Sequence, residues 1–154
     1  MNIYDKKIRT IKFRGKTPQG KWVYGYYLIR EEESPVIETS VPYTIHYIVD
    51  YADFNGLNEN EILPETLGQF SGVYTIGNKE IYEGDILKYK YLYDRRFKYL
   101  SLVKFMETEA SFGLKDIYGN EIPLYRITAN NYFEVIGNIY ENPELLNLME
   151  GNNG

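Results

Sequence analysis

Apolar and polar residues alternate along much of this chain with a period of two. That is the spacing of a β-strand, whose side chains point to opposite faces in turn. Ile11-Lys12-Phe13-Arg14 predicts a short strand, and Thr17-Pro18-Gln19-Gly20 has turn chemistry. Trp22-Val23-Tyr24-Gly25-Tyr26-Tyr27-Leu28-Ile29 is a continuous aromatic run. It predicts a strand buried on both faces or held at an interface, with Gly25 marking a bulge or a close backbone approach. After a solvated loop at Glu31-Glu32-Glu33-Ser34-Pro35, Tyr43, Ile45, Tyr47 and Val49 alternate with Thr44, His46, Ile48 and Asp50, which predicts a half-buried strand.

The pattern breaks from Asp53 to Gln69, which reads as a connector interrupted by Asn55-Gly56 and Asn58. Within it, Leu63-Pro64-Glu65-Thr66-Leu67-Gly68 predicts one helical turn, Pro64 opening it and Gly68 closing it. A second β region follows. Phe70 to Tyr74 leads to a turn at Gly77-Asn78, and Ile81-Tyr82 leads to a tight turn at Glu83-Gly84-Asp85. Ile86 to Tyr93 and Phe97 to Met106 predict a hairpin joined through Asp94-Arg95-Arg96. Phe112-Gly113-Leu114 and Ile122-Pro123-Leu124 flank a turn at Tyr118-Gly119-Asn120. Tyr132 to Tyr140 predicts the last strand, with Gly137 as a bulge. Asn142-Pro143-Glu144 starts a short helix: Asn142 accepts from an orphan amide, and Pro143 loses nothing at the first position.

The expected fold is therefore mainly β: antiparallel strands forming one or two small barrel- or sandwich-like subdomains, with a short C-terminal helix. The expected division is an N-terminal β subdomain with an acidic connector over residues 1–66. A barrel-like subdomain ending in the helix then fills residues 67–154.

Composition sharpens this picture at one point. The 154 residues include 17 tyrosines, which favour pleated, half-buried surfaces and supply amphipathic contact area at interfaces. There is no cysteine, which excludes disulfides, thiolate metal sites and thiol nucleophiles. No early apolar run predicts a signal peptide and no stretch is long enough to span a membrane. A soluble, cytoplasmic location is the default expectation.

Charge is split along the chain. Lys6, Lys7, Arg9, Lys12, Arg14, Lys16 and Lys21 face only Asp5 in the opening segment, whereas Glu31 to Thr66 contains no Lys or Arg and many acids. Lys88, Lys90, Arg95, Arg96, Lys98 and Lys104 then stand against Asp94 alone. With a net charge of -5 the chain is no DNA-coating polycation. The split implies charge-complementary faces within a monomer or between subunits.

The segment from Phe70 to Ile86, containing Phe70-Ser71-Gly72, Gly77-Asn78-Lys79-Glu80-Ile81-Tyr82-Glu83-Gly84-Asp85-Ile86, resembles the signature of the YopX family of phage and prophage proteins. The opening Ile11-Lys12-Phe13-Arg14-Gly15 with Gly20-Lys21-Trp22-Val23-Tyr24-Gly25 is similar to the family's start. Val135-Ile136-Gly137-Asn138-Ile139-Tyr140-Glu141-Asn142-Pro143-Glu144-Leu145-Leu146 is similar to its close. Gly77-Asn78 stands where Asn-Gly is usual and Ser71 where Thr is common, and the stretch from Glu31 to Asn60 carries no signature. The resemblance implies a phage or prophage origin and a β-rich fold. It brings no established reaction with it.

The candidate chemistry reads as structural. Gly84 between Glu83 and Asp85 suits a tight turn into a strand better than a carboxylate pair. His46 is the only histidine, and Asp50 stands about 13 Å from it along a regular strand. Ser71 is not in a Gly-x-Ser-x-Gly elbow, and there is no phosphate loop or dinucleotide fingerprint. No catalytic, metal or cofactor residues are assigned, and no enzyme is expected. Lys88, Lys90, Arg95, Arg96 and Lys98, interleaved with tyrosines, and Arg14 and Lys16 are the candidates for contact with nucleic acid or a partner. Strand alternation puts the hairpin's lysines and tyrosines on opposite faces, which weakens its case as a base-stacking platform.

Two functions are expected in order. The first is an interaction module that forms a homo-oligomer and binds a host or phage protein. The alternative is a nucleic-acid binder using the basic, aromatic hairpin.

Overall fold

The computed structural model describes residues 9–33, 42–52, 56–89, 99–116, 118–124, 133–145 and 147. The chain divides into two compact units, residues 1–69 and 70–154. The first holds β1 (Phe13–Lys16), β2 (Trp22–Glu32), β3 (Tyr43–Ala52) and β4 (Gly56–Glu61), and most of β5 (Leu63–Tyr74). They lie in the order β4-β3-β2-β1-β5, every neighbouring pair antiparallel.

Period-two alternation explains the packing of this unit. Val23 on β2, Ile48 on β3 and Ile62 before β5 are buried together, with Phe13, Tyr27 and Leu67 against them. Gly25 is a close approach of backbone, as its place in an aromatic run predicts. A Cβ there would lie 2.1 Å from the Val49 carbonyl oxygen.

Two local expectations are corrected here. The stretch from Leu63 to Gly68 is strand, not a helical turn. Burial alternates through Thr66, Gly68 and Phe70. The Thr66 hydroxyl accepts from the Lys16 amide at 2.8 Å and donates to the Leu63 carbonyl at 2.6 Å. Pairing with β1 outweighs the local helix-start chemistry of Pro64. The supposed connector before it likewise contains β4, laddered to β3 from Tyr47↔Glu61 to Ala52↔Gly56.

In the second unit, the distal half of β5 pairs with β6 (Glu80–Tyr82) through Phe70↔Tyr82 and Tyr74↔Glu80. A five-stranded antiparallel sheet follows in the order β10-β9-β8-β7-β11. Its strands are β7 (Asp85–Tyr89), β8 (Tyr99–Met106), β9 (Ser111–Asp116), β10 (Glu121–Pro123) and β11 (Phe133–Asn138). Ile81, Leu87, Tyr89, Val103, Phe112, Leu114, Leu124 and Phe133 form its core. The turn at Gly77-Asn78 puts Asn78 at φ 60, a left-handed conformation that Asn tolerates. Gly137 sits in a register shift between β11 and β7, the bulge its place in the strand predicts.

The fold is thus mainly β, in two antiparallel sheets. Neither sheet closes into a barrel among the described residues: β4 and β6 end one, and β10 and β11 end the other. The C-terminal helix is not seen as such. Near the C-terminus, only Glu144, Leu145 and Asn147 are α-helical among the described residues. No described helix is long and apolar enough to cross a membrane.

Candidate interaction surface

Of the cations singled out in the sequence, Lys90, Arg95, Arg96 and Lys98 lie outside the described residues. Lys88, in the second unit, stands across from Leu100 on β8 and Glu134 on β11. Its neighbour Tyr89 is a core residue. Arg14 and Lys16 lie in the first unit, two apart on β1, and so share a face. Arg14 is across from Tyr24 and Lys16 across from Trp22. The Arg14 guanidinium carbon is 4.9 Å from the Trp22 ring centre and the Lys16 ammonium 6.0 Å from it. Both sit within cation–π range of one indole. Arg14 is buried, so its charge is spent within the fold and not offered to a phosphate.

The same face continues across the sheet. Directly opposed residues on antiparallel strands point the same way. Tyr26↔Val49↔Glu59 and Leu28↔Tyr47↔Glu61 therefore form rows on one side of β2, β3 and β4. Much of this side faces solvent, with Val49 buried among its neighbours. Tyr51 is 81% exposed, Tyr26 64% and Leu57 62%, and Tyr24, Leu28 and Tyr43 are exposed as well. The aromatic run of β2 is therefore not buried on both faces. Val23 and Tyr27 pack inward, Ile29 farther along that same side is exposed, and Tyr24, Tyr26 and Leu28 on the other side are open.

Polar groups are fitted into this apolar field. The Arg30 guanidinium lies 5.1 Å from the Tyr47 ring centre, and its Nη2 donates to Glu59 Oε1 at 2.9 Å. The hydrogen bond and the opposite charge of Glu59 raise Arg30 above its ordinary pKa. The hydrogen bond from Arg30 holds the Glu59 carboxyl below its usual range. Tyr43 donates to Glu32 Oε2 at 3.2 Å, and that bond raises its phenol pKa. On the opposite, inward face, His46 pairs through Nδ1 with the Tyr27 hydroxyl, and the two rings stack at 5.8 Å. Burial raises the Tyr27 phenol. His46 is thus partnered by a tyrosine and not by Asp50.

The motifs weighed for catalysis are occupied by structural work. Gly84 takes φ 84, and Asp85 Oδ2 accepts from the Tyr82 amide at 2.8 Å. Glu83 Oε1 accepts from the Phe105 amide at 3.3 Å. The Ser71 hydroxyl donates to the Ile81 carbonyl at 2.8 Å. Among the described residues, no three His, Asp or Glu side chains gather as metal ligands.

Sequence reasoning missed Arg30, Tyr47 and Glu59 as a unit, because the three come from three strands. The available signal was the alternation of Tyr24, Tyr26 and Leu28 against Tyr43, Ile45 and Tyr47. It marks a common face but does not say whether that face is covered.

Comparison with known proteins returns one family: the model described as YopX protein matches residues 12–147. No curated protein matches the chain.

Proposed function

The chain belongs to the YopX family, and from that premise we propose that it is a non-enzymatic interaction module of a phage or prophage. In this reading it works in the cytoplasm of the host cell, associating with itself and with a host or phage protein. The carrying observation is the open aromatic face of β2, β3 and β4, where Tyr24, Tyr26, Tyr51 and Leu57 stand in solvent. Large exposed apolar patches on soluble proteins mark contact surfaces. Tyrosine and arginine are enriched in such contacts while their rims stay polar.

Nucleic acid is the weaker reading of the same face. A phosphate-tracking surface needs cations in excess. Here Arg30 is already bound to Glu59, Arg14 is buried, and Glu32, Glu59 and Glu61 share the side with the aromatics. The hairpin cations beyond Tyr89 lie outside the described residues and add no support. The test is sedimentation over a concentration series for the wild type and for Tyr26→Ser with Tyr51→Ser. Wild-type association that the double substitution weakens supports the module. A strictly monomeric wild type that also retains no host or phage protein on an affinity column rejects it.

A further inference from the structure

We draw no further inference here: the strongest candidate, the open aromatic face of β2, β3 and β4 around Tyr26, Tyr51 and Leu57, belongs to the surface already described, and nothing in the structure shows what covers it.

Discussion

The Asp85 carboxylate closes the turn that precedes β7 by accepting a hydrogen bond from the Tyr82 amide at 2.8 Å, while the residue itself is 2% exposed. Removing it leaves a buried amide without its acceptor. Asp85→Ala is expected to destabilise the second unit by about 1–3 kcal/mol, the cost of an unsatisfied buried group. Asp85→Asn keeps an acceptor oxygen and loses less. Urea unfolding of the two variants, read by circular dichroism, gives the comparison. Equal losses for Ala and Asn would show that this hydrogen bond is not what the turn depends on.

Gly25 and Gly56 test two different reasons for a glycine in the first unit. At Gly25 an added Cβ meets the Val49 carbonyl oxygen at 2.1 Å, whereas at Gly56 it meets nothing within 4 Å but the backbone sits at φ 99. A carbonyl in a ladder cannot move aside as a flexible side chain does. Gly25→Ala is therefore expected to cost about 3 kcal/mol or more, by overpacking against backbone. Gly56→Ala is expected to cost only about 1–2 kcal/mol, from left-handed strain. Thermal melts of the two variants rank the effects, and a Gly56 loss equal to that of Gly25 would contradict the steric account.

Most strands and turns are legible in the sequence, because period-two alternation and glycine chemistry are local; β4 (Gly56–Glu61), mostly polar along its length, is not. Gly84 and Gly137 are cases in which one residue states its own backbone demand. Leu63 to Gly68 was misleading for the converse reason. Pro64 and Gly68 carry helix-end chemistry, but the segment's conformation is decided by β1, about fifty residues away in the chain. The open face was beyond local reading as well. β2 is apolar on both sides from Trp22 to Ile29, so its pattern names two equivalent faces and cannot say which one the protein covers.

The ion pair between Arg30 and Glu59 gives a prediction in pH. Glu59 is held below the ordinary carboxylate range, first by its hydrogen bond from Arg30 and also by the opposite charge. A depressed folded-state value means that its contribution is present above the unfolded-state value and fades as pH falls through the folded one. Both side chains are solvent-facing, so the effect on overall stability is small. Carboxyl carbon shifts followed by NMR are expected to place the Glu59 midpoint below those of unpaired glutamates. Arg30→Met should return it to the ordinary range, and an unchanged midpoint in that variant would mean Arg30 is not its cause.

Trp22 offers a way to watch one unit alone. It is the only tryptophan and belongs to residues 1–69. Its indole lies beside Arg14 and Lys16, so its emission changes when β1 and β2 separate. Circular dichroism, by contrast, sums both sheets. Each buried cluster draws all its members from one unit: Val23, Ile48 and Ile62 from the first, and Leu87, Val103, Leu114 and Phe133, among others, from the second. Leu114 is fully buried, so Leu114→Ala should cost about 2–5 kcal/mol. That loss is expected to fall on the second cluster. In urea, the dichroism of the variant should show an early step while the Trp22 fluorescence midpoint stays close to wild type. The converse variant, Ile48→Ala, should move the fluorescence midpoint first. If instead Leu114→Ala shifts both signals together and by the same amount, the two cores unfold as one cooperative body through the continuous β5, and the separate-unit account fails.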